Sequence, residues 1–147
     1  MGIASIRGSF ADFDAVIAGG ERPHVSGAIR VGSVDTRDEA RDGHLQSPDF
    51  FDAERYPEIA FTSTRFEDGK VIGNLTIRGV TREVELAASV TGAGTDPWGN
   101  ERLGLELEGE IDRHDFGVSW NTPIPTGGLL LGDTVTLSAG FSAVKEA

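Results

Sequence analysis

The feature that most constrains the fold of this chain is the alternation of apolar and polar residues with a period of two. In "KVIGNLTIR", Val71, Gly73, Leu75 and Ile77 share one face, and mostly polar residues share the other. The segments "REVELAASV", "LGLELEGEID" and "DTVTLSAGFSA" alternate in the same way. This pattern is typical of antiparallel strands with one buried and one solvated face. The sequence therefore predicts an all-β fold.

Further strands are predicted at residues 3–10, 12–18, 24–34 and 58–66. Asp-Gly in "EDGK" predicts a hairpin turn at 67–70, and Gly79 in "IRGVTR" predicts a second turn. The glycine-rich "TGAGTDPWGN" is interpreted as a turn, since it lacks the lysine and the following helix of a phosphate-binding loop. Strands at such short intervals predict a meander that closes into a barrel or folds into a sandwich. No linker or repeat divides the chain, so residues 1–147 are predicted to form one domain.

One short helix is predicted in "TRDEARDGHL". Thr36 precedes Glu39 by three residues, which is the pattern of a capping box, and Gly43 is expected to end the helix with a left-handed cap. Pro48 and Pro57 exclude a regular helix or a central strand in the segment that follows. This aromatic-rich segment is expected to lie across the end or side of the sheet. It either plugs the end of the core or borders an apolar cavity.

Composition and charge exclude several classes of function. A length of 147 residues, with 38% hydrophobic and 25% charged residues, is typical of a globular domain. A net charge of −11 argues against nucleic acid as a partner, because phosphate binding needs a basic surface. The absence of cysteine excludes disulfides, thiolate catalysis and sulfur-ligated metals. No apolar run reaches the length of a membrane span, and "MGIASIRGSF" does not resemble a secretory signal, so a cytoplasmic location is expected.

The histidines do not predict a metal site. His24, His44 and His114 are not at the spacing of a zinc site, and no His-Glu-x-x-His helix is present. No sequence resembling a nucleophile elbow positions a serine for catalysis. These patterns therefore predict no metal site and no covalent cofactor.

The densest polar cluster lies in "IDRHDFGVSWN", at the predicted end of a strand. An enzyme that acts on a small apolar substrate would use His114 with Asp112 or Asp115 as acid–base groups. Such a site requires a pocket and a perturbed pKa, which a sequence does not reveal. The structural alternative is a strand end whose charges cap backbone groups while Phe116 and Trp120 pack inwards. Both interpretations are open at this point.

The core-facing positions of the predicted strands are often slender. Examples are Gly73, Ala88, Gly109 and Ala139. A small barrel either fills its interior with side chains or keeps a slot for one ligand, and slender residues favour the slot. Glycine in a strand equally marks a bend or a bulge.

Four blocks together resemble the YceI-like, polyisoprenoid-binding family. They are "RDGHLQSPDFFDAERYPEIAFTSTRFE", "VIGNLTIRGVTREVEL", "DPWGNERLGLELEGEIDRHDFGVSWN" and "LLLGDTVTLSAGFSA", in this order, and the similarity runs from about residue 2 to residue 143. The resemblance implies an extended antiparallel β-barrel of lipocalin-like shape with a short helix in one connection. It also implies non-enzymatic binding of an isoprenoid lipid, such as a polyprenyl chain, an isoprenoid quinone or a prenyl phosphate. A homodimer is expected, since many members of the family are dimers.

The resemblance also implies candidate binding residues. The aromatic and aliphatic side chains expected to line the apolar tunnel are Phe50, Phe51, Tyr56, Phe61, Leu75, Ile77, Phe116 and Trp120. Independently of the family pattern, we hypothesise that His44, Arg113 and His114 contact a phosphate or quinone head group, since arginine matches the geometry of phosphate. Residues 122–133 are apolar and glycine-rich, which suits either a movable flap at an entrance or an ordinary long hairpin loop. A third functional alternative is a stress-related interaction protein whose cavity is incidental.

One departure from the family pattern concerns the first strand. Members usually begin with a further strand of the "W-x-I-D…HS-x-I-x-F" kind, whereas this chain starts at or inside the second strand. The first family strand is therefore expected to be missing, and since a signal peptide would be lost with it, a periplasmic or secreted location stays open beside the cytoplasmic one. Since an open barrel exposes unpaired strand edges, a partner subunit or a distorted closure is expected to cover the gap.

Overall fold

The computed structural model describes residues 8–18, 24–95, 97–99, 101–118 and 134–144. This part of the chain contains one helix, α1 (Glu39–Leu45), and two 3-10 turns, Val31–Ser33 and Arg113–Phe116. Its strands are β1 (Ser9–Phe10), β2 (Phe13–Ala18), β3 (His24–Arg30), β4 (Val34–Asp35), β5 (Glu58–Glu67), β6 (Lys70–Ile77), β7 (Val80–Thr95), β8 (Glu101–Asp112) and β9 (Thr134–Val144). The predicted all-β class with one short helix is confirmed.

Seven strands form one antiparallel sheet in the order β2-β3-β5-β6-β7-β8-β9, and β1 pairs separately with β4. The sheet curls into a half-barrel, as expected for a lipocalin-like fold. Within the described residues, β2 and β9 are its two edge strands. Of the strand predicted at 3–10, β1 covers the last two residues, and residues 3–7 lie outside the described part, as do Trp120 and the segment 122–133.

Both predicted hairpin turns are confirmed. Asp68 and Gly69 have φ of 50° and 76°, and Arg78 and Gly79 have φ of 53° and 73°. Two consecutive residues with positive φ make a type I′ turn, whose twist matches that of the flanking strands. These turns join β5 to β6 and β6 to β7, and thereby fix the register of the central strands.

Strand β7 changes its pairing partner halfway along its length. Its first half pairs with β6, from Val80 to Ala87, and its second half pairs with β8, from Ala87 to Thr95. The interpretation of "TGAGTDPWGN" as a turn throughout is therefore wrong for its first half, because β7 continues to Thr95. Glycines weaken a strand, but here β8 pairs with β7 on both sides of a bulge between Val90 and Gly92.

The helix begins and ends at residues that the sequence pattern did not predict. Asp38, and not Thr36, is the N-cap, and its side chain accepts the backbone N–H of Arg41 at 3.1 Å. The Thr36 backbone N–H and hydroxyl instead both donate to Oδ1 of Asp42, at 2.9 and 2.5 Å. The helix also continues two residues beyond Gly43. The predicted capping box is therefore wrong, because Thr36 binds Asp42 and does not cap the helix. The predicted glycine cap is wrong because Gly43 lies inside the helix.

The apolar interior consists of two clusters of buried side chains. The helix-side cluster contains Val31, Phe50, Ile59, Leu75, Ile77, Ile111, Phe116 and Val118. The hairpin-side cluster contains Val25, Val71, Leu86, Leu105 and Leu107. Phe61 and Val84 pack against both clusters, so one continuous apolar surface follows the concave face of the sheet.

At two core positions occupied by glycine, the side chains of neighbouring residues fill the space. A Cβ atom at Gly73 would lie 2.7 Å from Cζ of Phe61, and one at Gly109 would lie 2.6 Å from Cδ2 of Leu86. Both distances are shorter than real contacts of a Cβ atom, so these glycines make room for large side chains of the adjacent strand. The prediction that they leave a slot for a ligand is wrong at these two positions.

Candidate ligand-binding site

The helix-loop segment (residues 36–57) closes one end of the half-barrel. Phe50 is 7% exposed and belongs to the helix-side cluster. The backbone around it is compact, since Phe50 N–H donates to Ser47 O and Phe51 N–H donates to Leu45 O, both at 3.0 Å. Of the two roles that the sequence left open for this segment, plugging the core is the one that Phe50 performs.

Two further aromatic side chains pack the helix-loop segment against the rest of the fold. The Phe51 ring meets the Phe10 ring edge-on, with centroids 6.0 Å apart. The ring of Tyr56 lies over the β6–β7 turn, where a Cβ atom at Gly79 would be 2.6 Å from Cε1 of the tyrosine. Both side chains are partly buried. They position the segment against β1 and against the end of the central strands.

Hydrogen bonds to one buried threonine hold α1 against the strand that precedes it. Arg41 donates from Nε to Oγ1 of Thr36 at 2.8 Å and from Nη2 to its carbonyl oxygen at 2.7 Å. Together with the bonds from Thr36 to Asp42, they satisfy the polar atoms of a residue that is 7% exposed. The helix is thereby fixed in place although none of its own residues is fully buried.

His44 lies on the outer side of the plug. Its ring meets the ring of Phe50 edge-on at a centroid distance of 5.0 Å, and its Nε2 is 2.9 Å from Oδ2 of Asp49. The side chain is 39% exposed. His44 therefore contacts the buried Phe50 ring and, through Nε2, the carboxylate of Asp49.

The predicted polar cluster at the end of β8 forms a 3-10 turn with internal caps. Oδ1 of Asp112 accepts the backbone N–H of His114 at 2.9 Å. Arg113 is buried, and its Nη1 donates to the carbonyl oxygen of Val118 at 2.9 Å. Phe116 packs into the helix-side cluster, as the structural interpretation predicted. The geometry does not favour the acid–base alternative, since Asp112 binds the backbone of His114.

Two arginines from the β6–β7 hairpin tie this turn to the sheet. Arg78 donates from Nη1 to the carbonyl oxygen of Gly117 at 2.8 Å, and Arg82 donates from Nε to that of Asp115 at 3.1 Å. These contacts connect residues that are 39 and 33 positions apart in the chain. The turn therefore has a fixed position although it follows the last residue of a strand.

A polar pocket of about 340 Å³ lies where β7 and β8 are not paired. It is bounded by the first half of β7, the end of β8 and the 3-10 turn. Val84, Ile111 and Phe116 form its apolar part. Its charged lining residues are Arg82, Glu83, Glu85, Glu110, Asp112 and Asp115. In the part of the chain that the structure describes, no three His, Asp or Glu side chains are arranged to hold a metal ion.

The concave face carries large apolar side chains that are partly exposed in the part of the chain that the structure describes. Phe13 on β2 is 48% exposed, Val90 on β7 is 65% exposed and Val135 on β9 is 38% exposed. Their strand partners are Ile29, Leu105 and Ile111, which all pack in the two clusters, so these three residues point to the same face. We call Phe13, Val90 and Val135 the exposed concave set.

Sequence reasoning missed the exposed concave set as binding candidates. The alternation did place Val90 and Val135 on the apolar side of their strands. It did not show that the neighbouring elements would leave these side chains exposed, since their exposure depends on which strands lie at the edges of the sheet.

Phe13 lies on edge strand β2, which is held to β3 by Arg30, whose Nη2 is 2.5 Å from Oδ2 of Asp14. This hydrogen bond raises the pKa of the Arg30 guanidinium.

The residues predicted to line a tunnel lie at several depths. Phe50, Leu75, Ile77 and Phe116 are buried together in the helix-side cluster. Phe51 and Phe61 are partly buried against it, and Tyr56 is partly buried at the β6–β7 turn. Among the predicted head-group residues, His44 contacts Phe50 of that cluster, Arg113 is buried in the same 3-10 turn as Phe116, and His114 is exposed.

No helix among the described residues has the length and apolar character needed to span a membrane.

Comparison with known proteins identifies relatives over nearly the whole chain. The model of the YceI-like domain matches residues 1–143. Protein YceI of Escherichia coli is 40% identical over 126 residues, which are 80% of this chain and 66% of that protein. A UPF0312 protein of Pectobacterium atrosepticum is 40% identical over 127 residues, with 81% and 66% covered. The chain thus spans just under two thirds of the length of these curated relatives.

Solved structures share the fold. A YceI protein of Campylobacter jejuni, crystallised with large solvent channels, has a TM-score of 0.88 and 34% identity, and the match covers 100% of this chain and 89% of that one. BcnA of Burkholderia cenocepacia has a TM-score of 0.78 at 23% identity, covering 92% and 86%, which supports the fold. The matched domain model and these relatives show that the chain belongs to the YceI-like domain family.

Proposed function

We propose that this protein binds an isoprenoid lipid on the concave face of its half-barrel, without converting it chemically. The ligand class is a polyprenyl chain, an isoprenoid quinone or a prenyl phosphate. The observation that carries the proposal is the exposed concave set, which presents uncovered apolar surface beside a continuous apolar interior. An elongated hydrocarbon fits a surface that is apolar along the length of the sheet.

The energetics of such binding are favourable. Removal of apolar surface from water contributes about 0.8 kcal/mol for each buried methylene-sized group, so a tail of several isoprenoid units binds without specific polar contacts. Part of that gain offsets the loss of translational freedom and the ordering of a flexible tail. Affinity should therefore increase with tail length until the tail exceeds the concave face.

The proposed head-group contacts lie at the plugged end of the sheet. His44 is 39% exposed beside Phe50, with its Nε2 hydrogen-bonded to Asp49, and His114 is exposed on the 3-10 turn. Arg113 is buried and binds the Val118 carbonyl oxygen through Nη1, so we assign it the role of holding the turn in position. A phosphate or quinone group emerging there would meet the two histidines.

Native mass spectrometry of protein purified from its own host tests this proposal. We expect a prenyl species in near-stoichiometric amounts, with its identity established after solvent extraction. Repeated recovery of empty protein under mild conditions would contradict the proposal.

A matched pair of substitutions locates the binding surface. Val90→Ser and Val16→Ser change valines that are 65% and 63% exposed. Val90 lies on the concave face, whereas Val16 pairs with Ser26, which alternates with the core residue Val25 and lies on the convex face. We expect Val90→Ser to reduce the retained lipid and Val16→Ser to leave it unchanged. Equal effects of the two substitutions would place the ligand elsewhere.

We also propose that the protein is a homodimer. Within the described residues, the outer edges of β2 and β9 are without a strand partner in the sheet, and such edges favour pairing with another chain. Light scattering coupled to size-exclusion chromatography should give twice the mass of the chain, and a monomer across a range of concentrations would refute this.

A further inference from the structure

Each of the two histidines proposed to contact the head group has a carboxylate beside it. Nε2 of His44 lies 2.9 Å from Oδ2 of Asp49. The backbone N–H of His114 donates to Oδ1 of Asp112 at 2.9 Å, and Asp115 is the next residue in the chain. Both Asp112 and Asp115 have exposed side chains. A head group that meets either histidine therefore also meets negative charge.

The carboxylates at the end of β8 are not neutralised by ion pairs. Among the described residues, no arginine, lysine or histidine forms an ion pair with Glu110, Asp112 or Asp115. Glu83 and Glu85, on the β7 side of the polar pocket, each have a cation of a neighbouring strand as partner. The three carboxylates of the β8 end and the 3-10 turn thus line the pocket without a paired cation.

Four arginines close to the two histidines are bonded to the protein itself. Arg78 and Arg82 donate to carbonyl oxygens of the 3-10 turn and of the residue after it. Arg113 is buried and donates to the carbonyl oxygen of a residue just beyond the turn. Arg41 on α1 donates from Nε and Nη2 to Thr36. Because phosphate recognition uses an arginine fork directed at the ligand, use of these groups for a phosphate competes with the contacts that hold the turn and the helix.

We propose that the protein selects its lipid by the charge of the head group and binds an uncharged or cationic head in preference to a phosphate. This inference rests on the proposed function, since it concerns the head group of the lipid on the concave face. Of the ligand classes named above, the polyprenyl chain and the isoprenoid quinone fit this selection, and the prenyl phosphate does not. The residues that determine the selection are the carboxylates beside the two histidines, Asp49, Glu110, Asp112 and Asp115.

Electrostatics gives the direction of the selection. A phosphate monoester carries a charge of about −1.5 to −2 at neutral pH. Beside one or more carboxylates at a partly exposed site, repulsion should weaken its binding about tenfold or more. A hydroxyl or ammonium group of the same size instead donates a hydrogen bond to a carboxylate oxygen. The two kinds of head therefore differ in affinity although the tail contributes equally to both.

Native mass spectrometry with three probes that share one tail tests the proposal. The probes are geranylgeraniol, geranylgeranylamine and geranylgeranyl phosphate, each added to the intact protein at neutral pH and physiological ionic strength. We expect the amine to bind at least as tightly as the alcohol, and the phosphate to bind about tenfold more weakly than the alcohol. A higher salt concentration should reduce this ratio, because ions screen exposed charges.

The same measurement separates failure of the selection from failure of lipid binding. If none of the three probes binds, the proposed lipid binding is wrong, and this inference with it. If the phosphate binds as tightly as the alcohol, or more tightly, the selection is wrong and the proposed lipid binding stands.

Single neutralising substitutions test whether the named carboxylates cause the selection. Asp49→Asn and Asp115→Asn each remove one charge beside one histidine and leave an oxygen that accepts hydrogen bonds. Glu106→Gln is the matched control, since it removes one exposed charge of β8 about 14 Å from Glu110, beyond the screening length at physiological ionic strength. We expect at least one aspartate substitution to bring the affinity for the phosphate closer to that for the alcohol, and Glu106→Gln to leave the ratio unchanged.

The ratio of the two affinities is the quantity compared, because a loss of folded protein or of tail binding changes both affinities equally. The inference is overturned if neither aspartate substitution changes the ratio, or if Glu106→Gln changes it as much as they do.

Discussion

Two phenylalanines differ in burial, so we expect one to contribute mainly to the stability of the fold and the other to ligand binding. Phe50 is 7% exposed within the helix-side cluster, whereas Phe13 is 48% exposed on the concave face of an edge strand. The first ring is surrounded by the protein's own side chains. The second leaves about half of its surface available to a ligand.

Truncation of these two residues should therefore have opposite consequences. Phe50→Ala should lower the free energy of unfolding by about 3–5 kcal/mol, because it opens a cavity in a packed cluster. Phe13→Ala should change it by less than about 1 kcal/mol, since the ring is largely exposed, but should reduce retained lipid. Urea unfolding and native mass spectrometry measure the two quantities. A large loss of stability in Phe13→Ala, or none in Phe50→Ala, would contradict these assignments.

Glycine substitutions provide a second residue-scale prediction. Gly79 has φ of 73°, and an added Cβ atom would lie 2.6 Å from Cε1 of Tyr56, so Gly79→Ala should destabilise the fold by about 1–3 kcal/mol. Gly43 lies inside α1 with nothing within 4 Å of an added Cβ atom, so Gly43→Ala should stabilise it by about 0.5–1 kcal/mol. Urea unfolding measures both effects. The same sign for the two substitutions would show that the turn or the helix is wrongly described.

At the scale of elements, the 3-10 turn after β8 fixes the polar cluster as part of the structure. Its N-cap is Asp112, and the carbonyl groups of Asp115 and Gly117 are held by arginines of the β6–β7 hairpin. The turn separates two strands that do not pair at this level, and Phe116 fills the space beneath it. Asp112 and Arg113 therefore stabilise the turn from within, while Arg78 and Arg82 connect its backbone to the β6–β7 hairpin.

Substitutions at Asp112 distinguish a role in capping the 3-10 turn from a role that needs its acidic side chain. Asp112→Ala should lower the free energy of unfolding by about 1 kcal/mol, because the backbone N–H of His114 loses its acceptor. Asp112→Asn should retain most of the stability, since asparagine caps about as well as aspartate. Thermal or chemical denaturation measures both. If asparagine destabilised as much as alanine, the role would depend on the negative charge and not on the cap.

The elements were predictable from the sequence to the extent that local patterns decide them. Alternation located the central strands, and Asp-Gly located a type I′ turn at Asp68 and Gly69. The start of α1 was not predictable, because Thr36 bonds to Asp42 and leaves the cap to Asp38. The length of β7 was also missed, since pairing with β8 overrides the low strand propensity of Gly92 and Gly94. Each miss reflects a contact made elsewhere in the chain.

At the scale of the whole molecule, the two ends of the half-barrel differ in structure. The helix-loop segment closes the helix-side end with Phe50, and at the other end β7 pairs with β8 as far as Thr95, with Val90 and Trp98 exposed. The sequence predicted the apolar face and left open whether the aromatic segment plugs the core or borders a cavity. It did not predict which residues the curl of the sheet would leave uncovered, because exposure of Phe13 and Val135 depends on their position on edge strands.

The most direct measurement of the central claim is a crystal structure of the protein purified from its own host without removal of lipid. We predict continuous hydrocarbon density along the concave face, in contact with Phe13, Val90 and Val135, with any polar head near His44 or His114. A concave face covered by the protein's own side chains, or a lipid bound on the convex side, would contradict the account.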